Sequence, residues 1–214
     1  MITIQQIIGY MLKSGMAIFT TPGHVNIVYL EGVSEDMEPN ADAPDQWNDV
    51  RLVFTHNDAG APTIVHTAAA TTEPGRLPTN SAEALKRGGV ARIAFGQYTA
   101  WKIGYHNQRK NGRNHPALVQ CRPVSVHRDR NRDMKRTCDT VHVGMFGINQ
   151  HSTRPGWNGE SVGYFSEGCL VGKNWEAHVD GFMPILKADP RYRADNDFVF
   201  TAAVLDGSKV SAFI

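Results

Sequence analysis

The sequence predicts a mostly-β fold, a sandwich or barrel-like sheet with one helix at the N-terminus and one in the last fifth of the chain. Three observations carry that expectation. Short runs rich in β-branched and aromatic residues recur along the chain, separated by turn residues. Only two stretches place apolar residues at helical spacing. No repeat, low-complexity tract or linker interrupts the pattern, so residues 1–214, 41% of them hydrophobic, read as one domain with a sizeable core.

The elements follow in order. In residues 1–21, Ile4, Ile7, Ile8, Met11 and Leu12 share one helical face. Residues 24–30 read as a strand, and the polar stretch 34–49, with Pro39 and Pro44, as a loop. Residues 50–54 and 62–66 flank Asn57-Asp58-Ala59-Gly60, a hairpin signal. Residues 68–72 run into the turn Glu73-Pro74-Gly75. Further strands are expected at 90–95, 99–105, 117–120, 124–127, 141–146 and 198–205. Trp175, Val179, Phe182, Met183 and Leu186 form the second helical stripe, which Pro184 should kink or shorten.

Charge and composition exclude some functions. With 22 basic and 21 acidic residues the net charge is +1, which gives no reason to expect nucleic acid or an anionic membrane as partner. Residues 108–113 and 128–136 are locally basic and read as solvated loops, a polyanionic polymer being the alternative. No run of 18 apolar residues predicts membrane insertion. The N-terminus lacks a basic segment followed by an unbroken apolar stretch, so no signal peptide is expected.

Neither cofactor nor metal is expected. The three cysteines, Cys121, Cys138 and Cys169, are odd in number and form no C-x-x-C, so at least one is a free thiol. His115, Cys121, His127 and Cys138 could be assembled into a zinc site but lack its usual spacing. Asp129, Asn131, Asp133 and Asp139 alternate like calcium ligands. Met134 and Thr140 stand where the loop needs glycine and glutamate, so a polar turn is the better reading.

Chemistry concentrates in residues 147–172. A strand delivers His151, and a Gly-rich loop returns the chain to Ser166-Glu167-Gly168-Cys169. Gly168 permits an unusual backbone angle beside Cys169. A thiol between a strand and a following helix would sit near a helix N-terminus, which favours thiolate, and exposed N–H groups there can hold an oxyanion. A histidine in reach completes a Cys–His nucleophile. His142, nine residues upstream on the same expected strand as His151, is a further site candidate, with a plain strand role the better reading. Tyr164, Asn149, Trp157 and Ser166 are candidate pocket walls.

This segment resembles the catalytic motif of the L,D-transpeptidases, in which a histidine followed by Gly or Ser precedes S-H-G-C by a loop of limited length. His151-Ser152 and Ser166-Glu167-Gly168-Cys169 match that layout. The resemblance implies a β-rich sandwich and a cysteine enzyme acting on the stem peptides of peptidoglycan. In it Cys169 attacks, His151 takes the thiol proton, the Ser152 main chain holds the imidazole, and the Gly168 and Cys169 N–H groups face the oxyanion. Two positions depart from the pattern: Glu167 replaces a histidine, and Leu170 and Val171 stand where arginine or asparagine is common. Hydrolysis is therefore as open as transpeptidation. A phage lysin or a secreted antibacterial effector, made in the cytoplasm and acting on the wall or periplasm after release, is the expected setting. The rivals are a catalytically degenerate wall-binding or virion structural module, and a zinc peptidase.

Overall fold

A computed structural model describes residues 1–106, 115–136 and 139–213. Cys138 and the basic stretch 108–113 lie outside the described residues. In chain order, α1 (Ile4–Lys13) is followed by β1 (Asn26–Glu31), β2 (Asp49–His56) and β3 (Pro62–Thr71), then by α2 (Arg76–Thr79) and α3 (Ala82–Lys86). Next come β4 (Val90–Ile93), β5 (Gly96–His106), β6 (His115–Gln120), β7 (Val124–Asp129), β8 (Thr140–Gly144) and β9 (Gln150–Ser152). β10 (Leu170–Gly172), α4 (Met183–Ala188), α5 (Pro190–Ala194), β11 (Phe200–Asp206) and α6 (Gly207–Ser211) complete the chain.

The protein is mostly β, as its short runs predict. Eight strands close into a barrel in the order β1-β11-β5-β6-β9-β10-β3-β2, and closure removes the exposed strand edges of an open sheet. Two barrel pairs are parallel, β1 with β11 and β9 with β10. A second sheet, β4-β7-β8, is antiparallel.

Strand alternation sorts the core. On β1, Ile27 and Tyr29 enter one apolar cluster while Val28 and Leu30 enter another; Ala202 and Val204 against Ala203 and Leu205 do the same on β11. The first cluster also takes Ala91, Ile93, Val124 and Val126 from the small sheet, with Trp101, Leu118, Phe182 and Leu186, so both sheets share a core. The second lies under α1 and α6 through Ile7, Met11 and Val210. Every residue of β1 is buried, the pattern of a strand covered on both faces.

Local chemistry fixes the ends. Thr3 and Gln6 cap α1 reciprocally. The β2–β3 hairpin turns where its sequence predicts: Gly60 N–H donates to the Asn57 carbonyl, and Asn57 Oδ1 accepts from Ala59 and Ala61. Pro184 acts as expected. It has no N–H for the preceding turn, and residues 177–182 widen into a π-helical turn before α4 begins. The short helices α2, α3, α5 and α6 were not predicted, because four or five residues are too few to show a period.

Candidate active site

The parallel pair β9–β10 sets the site. Val171 lies in register with His151, and Gly172 with Ser152. Cys169 is two residues before Val171, so strand parity turns it to the same face as His151. Leu170 N–H bonds the Asn149 carbonyl at 2.9 Å, which ties the Cys169 turn to the strand bearing His151. A strand therefore follows Cys169 directly. The expected helix comes only after β10, and with it goes the helix terminus that was to favour thiolate.

Gly168 carries a positive φ of 126°, and a Cβ there would run into the Ala91 carbonyl oxygen of β4, so glycine is required. Ser166 Oγ accepts from the Gly168 N–H at 3.1 Å and donates to the Cys169 carbonyl at 2.8 Å. Ser166 thus braces the turn, and the Gly168 N–H is already engaged. The preceding loop is pinned by Asp45, which takes the Gly163 N–H at 2.8 Å, and by the Gly75 N–H on the Ser166 carbonyl.

His151 is almost fully buried. Its Nδ1 lies 2.9 Å from the Ser152 carbonyl, so that nitrogen is the donor and carries the proton. Nε2 keeps a lone pair and has no hydrogen-bond partner among the described residues. The Ser152 main chain, to which the resemblance gives the holding of the imidazole, is the partner of this bond.

A second imidazole was missed. His106, at the end of β5, stacks on His151 with ring centroids 3.9 Å apart and planes 11° apart. The Asn149 amide bonds His106 Nδ1 at 3.1 Å, while Asn149 Oδ1 accepts the Gln120 N–H. That second bond fixes the amide orientation, so Asn149 donates to Nδ1 and the His106 proton sits on Nε2. His115, in register with His106, places its ring 5.4 Å from that of His151. The strand expectation stopped at Tyr105. The signal for His106 lay in the hairpin pairing, which no spacing rule reveals.

One ring nitrogen each of His106 and His151 and the Cys169 sulfur all lie within 4.8 Å of one another. Burial pushes the Cys169 thiol up to about 11; the Asn149 N–H opposes this and the Glu167 charge adds to it. Burial, then the neighbouring His106, holds His151 well below the usual imidazole range, against the Ser152 bond. Both groups therefore rest neutral near pH 7, and the expectation of a depressed thiol is corrected.

These groups open onto a cavity of about 340 Å³ lined by Ala84, Arg87, Ala91, Arg128, Phe146, Tyr164 and Glu167 among others. Tyr164 stands on its rim, mostly exposed. Trp157 lies behind the wall, packed on the lining Phe165 at 4.9 Å. Asn149 and Ser166 position other groups. Glu167 pairs at the surface with Arg87. His142 lies on β8 of the second sheet, on a different strand from His151.

No family model, curated protein or solved structure matches the chain.

His106, His151 and Cys169 form a set that could hold zinc. A metal on His106 Nε2 would move its proton to Nδ1, against the Asn149 N–H, so hydrogen bonding favours an uncharged imidazole over a ligand. Neither Cys121 nor His127 joins a potential ligand group among the described residues. Of the sequence calcium candidates, Asp129 is buried and caps the turn through the Met134 N–H, and Asn131 bonds Asp133 within it. Arg128 and Arg136 are not solvated as expected: Arg136 pairs with the buried Glu31, and Arg128 lines the cleft.

Proposed function

We propose that the protein is a cysteine enzyme of peptidoglycan that cleaves or exchanges an amide bond of a stem peptide through a thioester on Cys169. The observation that carries this reading is a partly buried Cys169 thiol within 4.8 Å of a ring nitrogen of the buried His151, whose Nε2 has no partner among the described residues, both on the wall of a cleft. The S-x-G-C layout, matched in Ser166, Glu167, Gly168 and Cys169, supports the substrate class.

The neutral resting pair shapes the mechanism. As Cys169 Sγ bonds the scissile carbonyl carbon, His151 Nε2 takes the thiol proton in the same step. The Cys169 N–H faces the developing oxyanion, since the Gly168 N–H is held by Ser166. Collapse breaks the C–N bond, and His151 returns the proton to the leaving amine. Water or an acceptor amine then attacks the thioester, giving its proton to His151, which restores the thiol. No cofactor is needed for this sequence. The wall or periplasm is its place of action, as for a phage lysin or an injected effector.

Digestion of purified peptidoglycan with mass analysis of the fragments tests the reading. Wild type should release or join stem peptides and Cys169→Ala should not. Retained activity in Cys169→Ala overturns it. A second reading, a degenerate wall-binding module, is favoured by the raised thiol and by Glu167 at the surface. Wall binding without fragment release would establish it.

A further inference from the structure

A second cavity, of about 630 Å³, lies between the end of β1, the 39–44 loop, β4 and residues 134–136, and shares no lining residue with the cleft. Its charges do not balance. Glu31, Asp42 and Glu73 bring carboxylate oxygens within 4.8 Å of one another. Arg92 pairs with Glu73 and Arg136 with Glu31, and Asp42 forms no ion pair with any described residue. Burial, then the neighbouring Glu31 charge, lifts the Asp42 carboxyl to about 6, as a shortage of positive charge there requires.

Residues lining the cavity also carry unpartnered polar atoms of both kinds. Asp42 Oδ1 is buried without a hydrogen-bond partner, and so are Arg92 Nε and Nη2 and Arg136 Nη2. Arg92 is 1% exposed, so water does not take the place of the missing acceptors. The guanidinium of Arg136 lies 4.2 Å from the Phe95 ring centre, and Phe95 and Met134 give the cavity apolar lining.

We propose that this cavity binds a small zwitterion, an α-amino acid with an apolar side chain, its ammonium on Asp42 and its carboxylate on Arg92 and Arg136. The ammonium supplies the cation that Asp42 lacks. The carboxylate supplies acceptors for the unpartnered guanidinium nitrogens, and Phe95 and Met134 receive the side chain. A metal ion on the three carboxylates would serve Asp42 but leave those nitrogens unpartnered. A simple anion would serve the arginines and meet three carboxylates. The inference does not rest on the thiol chemistry at Cys169.

Calorimetric titration of the whole protein tests it. The probes are L-leucine, 4-methylpentanoate, which keeps only its carboxylate, 3-methylbutylamine, which keeps only its ammonium, and calcium chloride. Leucine should bind about tenfold or more tightly than either one-charge analogue, since each gives up a charge-assisted bond. Asp42→Asn should weaken leucine by about tenfold and cost 4-methylpentanoate nothing. Residue 42 has a left-handed φ of 49°, which asparagine tolerates, so the variant keeps its loop. No leucine binding, equal binding of leucine and an analogue, or leucine affinity that survives Asp42→Asn overturns the site. Calcium binding that leucine does not displace also overturns it, and assigns the three carboxylates to a metal.

Discussion

Two buried polar clusters flank the core and hold their charge differently: the first sets the buried Arg51 against neutral groups, its Nη1 3.0 Å from His178 Nδ1, and the second sets arginines against carboxylates. Around β9 and β10, Cys169, His151, His178 and Tyr29 are held neutral by burial. Where β1 meets the β4 and β8 loops, Arg92 pairs with Glu73 and Arg136 with Glu31, charge against charge. The second cluster pairs its charges, and its Glu31 and Glu73 also come together with Asp42 as a group that could hold a metal ion. The first keeps a thiol beside a cleft, donating to the Gly147 carbonyl at 3.4 Å, and an imidazole lone pair on His151 Nε2 that has no partner among the described residues, which costs stability. The unpartnered imidazole nitrogen beside a thiol and a cleft is the physical case for function at the first.

The largest effect should fall on catalysis. Cys169→Ala and His151→Ala should each reduce fragment release about a thousandfold or more, and the double variant should be scarcely worse, because the pair acts as one unit. Glu167→Gln should do far less, since Glu167 is exposed, pairs with Arg87 at the surface, and reaches the thiol only through its charge. Additive losses in the double variant would break the unit. At the other cluster, Arg92→Ala should leave the wall chemistry intact but destabilise the fold by about 3–5 kcal/mol, because it strands Glu73 in the interior. Denaturant unfolding measures this, and a loss under about 1 kcal/mol would show water reaching Glu73.

His106 is the intermediate case. Removing it unstacks His151 and frees Asn149, so His106→Ala should lower kcat up to about a hundredfold, the cost of a base displaced by about an ångström. KM should change little. An unaltered kcat would make His106 a packing residue. Thiol chemistry sharpens the same contrast. With the Cys169 thiol up near 11, iodoacetamide labelling should keep rising with pH past 9 and show no plateau near neutrality. A plateau below pH 8 would restore the thiolate expected from the sequence.

The fold was legible where local patterns sufficed. The β2–β3 hairpin, α1 and nearly every strand follow from alternation and turn residues, because those signals are written within a few neighbouring positions. Barrel closure was not legible, since the parallel pairing of β1 with β11 joins residues far apart in the chain. The site divides in the same way. Cys169, His151 and the Ser152 carbonyl lie within one segment and were read from it. His106 and Arg128 arrive from β5 and β7, and only strand register brings them to the cleft. The thiol was misjudged because the expected helix terminus is displaced by β10.

The smallest effect, and the finest test of the contrast, is in stability against pH. His151 and His178 are held well below their unfolded value and His66 is lowered to about 4, each mainly by burial. As pH falls below about 6.5 the unfolded chain gains protons that the folded imidazoles refuse, so these groups lose stability on acidification. Asp49 runs the other way. Burial, then the neighbouring Glu31, lifts its carboxyl to about 7, so folding favours its protonated form. Its contribution is complete below the unfolded carboxylate value of about 3.8 and is lost as pH rises through 7. Between about pH 4 and 6.5 the imidazoles outnumber it, and stability should climb with pH. Asp49→Asn removes the opposing slope, so its climb should be steeper than that of wild type, and any decline toward pH 8 should flatten. Gly32 and Thr72 donate to separate Asp49 oxygens and the amide keeps only one, so the variant should be less stable throughout and the comparison is of slopes. Urea unfolding at half-unit pH steps reads the difference. Identical slopes for the two proteins would mean that Asp49 is charged in the folded state.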